Sequence, residues 1–230
     1  MLPASSPRLP SSSESLALAF SPCFCILYFA WTGTKTISKN GRKVGLLGGT
    51  FDPIHLGHLH ILEALAPKFD QLFAIPSGNP WMRTQPPSAS SNDRLEMCVL
   101  ALDDLDESLQ EKISVVDLEV RRSGPTYAIE TIHQLRAFFP LDSYTLILGT
   151  DAASNFDKWH RSADLKKLVD ILVVRRPGES KSAFPEVNIS ALDISATQVR
   201  ELIESKQDIS QYLSPSVSTY IKERGLYGSK

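Results

Sequence analysis

Gly48-Gly49-Thr50-Phe51-Asp52-Pro53-Ile54-His55-Leu56-Gly57-His58 decides how this 230-residue chain folds, because it follows directly on the apolar run Val44-Gly45-Leu46-Leu47. That run, preceded by basic Arg42-Lys43, reads as a buried first strand. Two glycines at its carboxyl end let backbone approach a bulky anion. Pro53 suits a turn or a first helical position, and Leu56, Leu59, Ile61, Leu62 and Leu65 then recur at helical spacing. The expectation is a strand, a phosphate loop and a helix in succession.

His55 and His58 stand three apart, so on a first helical turn their rings share a face and point where free N–H groups and the helix dipole favour negative charge. Imidazole N–H donors aimed at a phosphate can stabilise charge that builds on its oxygens. Either histidine alone also reads as a cap or a surface residue. Metal binding by His-x-x-His lacks a carboxylate or cysteine at ligand spacing, so no metal site is expected.

Composition sets the bounds. With 42% apolar residues the chain can bury a proper core, and 230 residues allow one ordinary α/β domain with a tail. A net charge of −2 argues against a broad nucleic-acid surface. Cys23, Cys25 and Cys98 do not form a disulfide framework, which points to a reducing, cytoplasmic setting, and Cys98 falls in an apolar-periodic helix. Residues 1–43 differ from the rest: Ser and Pro dominate first, then Leu16 to Trp31 is apolar but interrupted by Ser21-Pro22. That run is short of the roughly 20 residues of a membrane span, and only Arg8 precedes it as a charge. The signature of a secretory signal is weak there, and a dispensable leader, an organelle-targeting segment or an overcalled start is the favoured expectation, the three being equal on the sequence. The domain is expected over 44–228, and homo-oligomerisation is compatible with the sequence.

Further strands read at Leu72–Pro76, Ile113–Val120, Tyr144–Gly149 and Ile171–Val174. Between them, Ser77 to Ser91 is a Pro/Ser-rich loop long enough to be a mobile lid, carrying Trp81 and Arg83. A helix over Asn92–Leu105 should turn Leu95, Val99 and Leu102 inward, and its acidic end reads as solvated. Gly124-Pro125 makes a turn, with Thr126 as N-cap of a helix from Ala128 to Phe139. Ser195 and Gln198 stand in capping-box register at the start of another helix. Alternation of strands and helices predicts an α/β, Rossmann-like open parallel sheet with helices on both faces, and ligands gather beyond the carboxyl ends of such strands, where Asp151 lies.

The Gly48–His58 stretch resembles the signature of the nucleotidyltransferase superfamily whose hallmark is His-x-Gly-His. Within it, Val44 to about Tyr227 resembles the bacterial nicotinate-nucleotide adenylyltransferases, through Pro125-Thr126-Tyr127, Gly149-Thr150-Asp151, Phe156-Asp157-Lys158-Trp159, Arg176-Pro177-Gly178, Ile194-Ser195-Ala196-Thr197-Gln198-Val199-Arg200 and the closing Tyr220–Tyr227. The resemblance implies adenylyl transfer from ATP to nicotinate mononucleotide, with pyrophosphate released and Mg²⁺ carried by ATP. It implies His55, His58 and Arg200 as catalytic residues. Gly48, Gly49, Thr50 and Phe51 would join the histidines around ATP, with Gly149 and Asp151 at the next strand and Ile194, Ser195, Thr197 and Arg200 at the outer phosphates.

For the mononucleotide it implies Arg83, Thr126, Tyr127, Asp151, Trp159 and Arg176. The α-helix start at Thr126-Tyr127 would hold the carboxylate through backbone N–H groups. Trp159 would stack on the pyridinium cation, an attraction of about 0.5–2 kcal/mol. Asn79-Pro80-Trp81-Met82-Arg83 departs from the family's Pro-x-His-Lys-like stretch, and Arg83 takes the lysine's role. Neither nucleic acid nor membrane is implied as a partner. Alternatives are a pantetheine-phosphate or nicotinamide-mononucleotide adenylyltransferase and a nucleotide-binding module without turnover. A class I aminoacyl-tRNA synthetase would need a Lys-Met-Ser-Lys-Ser-like partner, which the sequence lacks.

Overall fold

The computed structural model describes residues 41–175, 181–189 and 192–230; the expectations for residues 1–40 and for Arg176 lie outside them. Six strands form one sheet in the order β3-β2-β1-β4-β5-β6. They are β1 (Lys43–Gly49), β2 (Gln71–Pro76), β3 (Ile113–Val115), β4 (Ser143–Gly149), β5 (Asp170–Arg175) and β6 (Glu186–Asn188). Every pairing is parallel. The order reverses between β1 and β4, which makes their carboxyl ends the switch point of the sheet.

Strand residues alternate between two cores, as the period of two requires. Leu47, Leu72, Ala74, Ile147 and Val174 pack on one face with Leu62 of α1 (Leu56–Leu65), Met97 of α2 (Ser91–Asp103), Val199 of α7 (Ala196–Glu204) and Ile221 of α8 (Pro215–Arg224). Val44, Leu46, Phe73, Ile75, Leu146 and Leu148 face the other way. They meet Ile129, Ile132 and Leu135 of α4 (Ala128–Phe138) and Leu165 of α6 (Ser162–Leu168). The short helices α3 (Glu107–Gln110) and α5 (Thr150–Ser154) complete the chain order. The expected open parallel sheet covered on both faces is the observed fold, and among the described residues no helix is long and apolar enough to cross a membrane.

Four local readings need correction. In α2 the buried residues are Asp93, Arg94, Met97, Cys98, Ala101 and Leu102, so the inward stripe is rotated away from Leu95 and Val99. The cause is at its start. Asp93 accepts from Tyr220 and Arg224 of α8, and Arg94 is drawn under the phosphate loop. β3 stops at Val115, because the chain coils away to lay the Glu119 carbonyl against Gly78, where a Cβ would come within 2.1 Å of it. The N-cap of α4 is Tyr127; the Thr126 hydroxyl turns back to the Asn79 carbonyl at 3.2 Å. Polar β6 carries no apolar run and is a strand by virtue of pairing with the edge of β5.

Candidate active site

The loop expected to hold phosphate leaves β1 at Gly49 and turns through Phe51, a left-handed residue (φ 49°) whose ring is buried. A strained backbone of this kind costs about 1–3 kcal/mol and persists where packing over-determines it. Here the Phe51 ring meets the edge of His58 with centroids 4.9 Å apart, and His58 stacks on His55 at 3.7 Å. His55 is buried at the start of α1, and His58 is half-exposed above it. The His55 N–H donates to His58 Nδ1 at 3.3 Å, which leaves the His58 ring proton on Nε2. Gly57 between them has no spare room: a Cβ there would lie 3.0 Å from His55 Nδ1. The expected open N–H groups at this helix start are partly consumed, since Leu56 N–H bonds the Tyr212 carbonyl at 2.8 Å and His58 N–H the His55 carbonyl at 2.8 Å. The two imidazoles stand beside these committed groups at the helix start.

Helix α7 delivers Arg200 to the same loop. Ser195 caps it, accepting Gln198 N–H at 3.1 Å, and buried Ile194 anchors the approach. Arg200 Nη1 donates to the Asp52 carbonyl at 2.7 Å and Nη2 to Thr197 Oγ1 at 3.2 Å. The Asp52 carboxylate, almost wholly buried, accepts from Ser88 N–H (2.7 Å), Ala89 N–H (3.0 Å) and the Tyr227 hydroxyl (2.8 Å). Burial and the nearby Asp52 push the Tyr227 phenol up, so its hydroxyl remains a donor. Through Tyr227 the closing segment of the chain fastens this loop.

Arg94 resembles a basic position of the family expected to face the nucleotide side, but the structure turns it to backbone carbonyls beneath the loops instead. Its side chain is 1% exposed and donates to Thr50 O (2.6 Å), Ser77 O (2.6 Å), Gly78 O (2.9 Å) and Ala89 O (3.3 Å). Burial lowers its guanidinium, and the Asp52 charge opposes that shift. Together Arg94 and Asp52 tie both roots of the 77–90 loop to the phosphate loop. Between those roots Arg83 is exposed, with Nη1 at 3.4 Å from Thr50 Oγ1.

On the other side of the sheet edge lies a cavity of about 210 Å³. Leu46, Ile75, Leu146 and Leu148 of the strands and Ile132 of α4 form its apolar floor; Gly48, Gly49 and Thr50 form the border with the phosphate loop. Thr126, Trp81 and Trp159 also line it. Tyr127 stands beside it, its ring 5.6 Å from Trp81 and stacked at 4.2 Å on His160. Trp159 is held by Phe156 at 5.3 Å. Thr126 N–H bonds the Asn79 carbonyl at 3.0 Å, so of the N–H groups expected to be open at this helix start, that of Thr126 is taken. Glu119 lines the cavity too, its Oε1 accepting from Thr131 at 2.8 Å; burial raises its carboxyl, opposed by Thr131 and Arg122. No spacing marked Glu119 in the sequence.

Gly48 and Gly149 end the two switch-point strands, and an added Cβ would meet nothing within 4 Å at either, so open space stands over both. Asp151 is exposed on the first turn of α5, at the carboxyl end of β4. The structure thus gathers His55, His58, Thr197, Arg200 and Arg83 around the phosphate loop, and Thr126, Tyr127 and Trp159 around the cavity.

Fold and site define the class: a Rossmann-like α/β protein with an imidazole and guanidinium cluster on one face of the switch point and a largely apolar cavity on the other. Comparison with known proteins agrees. A family model described as cytidylyltransferase-like matches residues 46–202. A protein of Dehalococcoides mccartyi named a probable nicotinate-nucleotide adenylyltransferase is 33% identical over 202 residues, covering 80% of this chain and 97% of its own. A protein of Geobacillus thermodenitrificans with the same name is 35% identical, over 82% and 87%. Among solved structures, the Plasmodium falciparum nicotinic acid mononucleotide adenylyltransferase complexed with NaAD superposes with TM-score 0.72 at 19% identity, over 82% of this chain and 98% of that one. The chain belongs to the cytidylyltransferase-like family and, within it, to the nicotinate-nucleotide adenylyltransferases.

Proposed function

We propose that this enzyme transfers the adenylyl group of ATP to nicotinate mononucleotide, forming nicotinate adenine dinucleotide and pyrophosphate in NAD biosynthesis. The observation that carries the reading is the two-part site. Donors for a triphosphate cluster at His55, His58 and Arg200, an aromatic-walled cavity takes a flat ring, and the Gly48–Thr50 backbone borders both.

The acceptor needs no catalytic base. A phosphate monoester is largely dianionic at neutral pH, with a second pKa of about 6. One of its oxygens bonds to the α-phosphorus of ATP as the bond from that phosphorus to pyrophosphate breaks, and the electron pair leaves with pyrophosphate. Catalysis is then alignment and charge stabilisation. His58 Nε2–H and His55 serve the α-phosphate oxygens. Thr197, Arg200 and the start of α7 at Ile194-Ser195 serve the departing pyrophosphate, and Arg83 reaches the phosphates from the loop above. Gly149 and Asp151 border the ribose. Mg²⁺ would arrive on the phosphates of ATP; Asp52, the one carboxylate of the loop, is engaged by Ser88, Ala89 and Tyr227, with the Arg200 guanidinium 3.9 Å away. On the cavity side, Trp159 stacks on the pyridinium, Tyr127 and the first turn of α4 meet its carboxylate, and Thr126, both of its donors held by the Asn79 carbonyl, lines the wall.

A cytoplasmic setting accords with the free, buried Cys98, whose thiol burial pushes up and keeps unreactive. Pyrophosphate release from ATP, measured with nicotinate and nicotinamide mononucleotide in parallel, tests the reading. Release that depends on the nicotinate compound supports it; none with either compound refutes it.

A further inference from the structure

Trp81 and Met82 are exposed by 42% and 44% on the 77–90 loop, an unusual position for large apolar side chains that face an aqueous cleft. Yet this segment is tightly placed. Arg94 holds the carbonyls of Ser77 and Gly78, Gly78 lies against the Glu119 carbonyl, and the Asn79 carbonyl accepts both the N–H and the hydroxyl of Thr126. Pro80 pairs with Thr126 as an isolated parallel bridge. Trp81 therefore leaves the loop from a fixed root beside the entry to α4, and its indole lines the same cavity as Trp159 while resting edge-on against Tyr127. An indole exposed on its outer side and fixed at its base costs little to order when a ligand arrives.

We propose that Trp81 is a second aromatic wall for the mononucleotide base: the cationic pyridinium enters the cavity with Trp159 and Trp81 both presented to it, and Trp81 sets base affinity from the loop side. Resting on the mononucleotide reading above, this adds a residue that the motifs do not assign. Chemistry favours a flat cation as the occupant, because the negative faces of indoles attract it and the apolar floor strips its water, which strengthens that attraction. A neutral apolar guest would use the floor but would gain little from the indole faces.

The test is steady-state kinetics of pyrophosphate release by wild type, Trp81→Ala and Trp81→Phe, varying each substrate at saturating levels of the other. Trp81→Ala should raise KM for nicotinate mononucleotide about tenfold, the scale of one desolvated ring–cation contact, and shift KM for ATP by less than about twofold. Trp81→Phe should recover most of the loss. An unchanged mononucleotide KM, parallel rises for both substrates, or a phenylalanine variant no better than alanine overturns the proposal while leaving adenylyl transfer intact. A wild-type enzyme that releases no pyrophosphate with the mononucleotide overturns both.

Discussion

The guanidinium of Arg200 lies 2.7 Å from the backbone carbonyl of Asp52, joining the start of α7 to the phosphate loop that precedes His55. Two helix starts separated by most of the domain in sequence are thereby joined at one loop. The contact also shows how the guanidinium is held ready: one amino group on the Asp52 carbonyl, the other on the Thr197 hydroxyl.

Loss of that cation should act on turnover more than on folding. Arg200→Ala is expected to lower kcat by roughly 10²–10³, the effect of removing one preorganised donor from a developing charge. Arg200→Lys should recover little, because a single ammonium cannot reproduce two directed contacts. Rate measurements at saturating substrates, with far-ultraviolet circular dichroism to verify the fold, check this; full rescue by lysine would mean that charge alone suffices.

Arg94 is expected to behave oppositely. Its guanidinium collects four carbonyls from the phosphate loop and both roots of the 77–90 loop, so Arg94→Met strips their donor. Stability should fall by about 3–5 kcal/mol, the range for removing one partner from a buried charged network. Urea midpoints for wild type and variant give the answer, and a loss below about 1 kcal/mol would contradict a fastening role.

Glu119 gives a pH signature. Burial raises its carboxyl in the folded protein, so the folded state binds the proton more tightly than the unfolded chain does. Its contribution is fully present below the unfolded pKa of about 4.3 and is lost as pH rises through the raised folded value. Glu119→Gln, which can still accept from Thr131, removes this dependence, so the variant should gain stability relative to wild type between pH 4 and pH 7. Asp93, lowered chiefly by its hydrogen bond from Ser90, slopes the other way at lower pH and is common to both proteins. Denaturation midpoints across that range decide it; a constant difference between the two proteins would refute the assignment.

The sheet was legible because apolar runs such as Leu72–Pro76 and Tyr144–Gly149 must be buried wherever they pair, and the Gly48–His58 stretch because its glycines and histidines suit only a few tasks. What escaped depends on contacts distant in sequence. Hydrophobic periodicity put Leu95 and Val99 inward, yet α2 is rotated by a buried arginine whose carbonyl partners come from residues 50, 77, 78 and 89. Thr126 has the chemistry of an N-cap and spends it on Asn79. Three-residue β6 is defined by the strand beside it. Glu119 and Tyr227 acquire meaning only from Thr131 and Asp52, which no local spacing connects to them.

The central claim is that stacked imidazoles on the phosphate loop carry the transferred phosphoryl charge, and His58 exposes it most directly. The decisive measurement is kcat for pyrophosphate release, with ATP and nicotinate mononucleotide saturating, in His58→Ala and in His58→Asn, which keeps an acceptor for the His55 N–H. Both variants should fold and lose turnover by roughly 10²–10³. A folded His58→Ala enzyme with near-normal kcat would contradict the account.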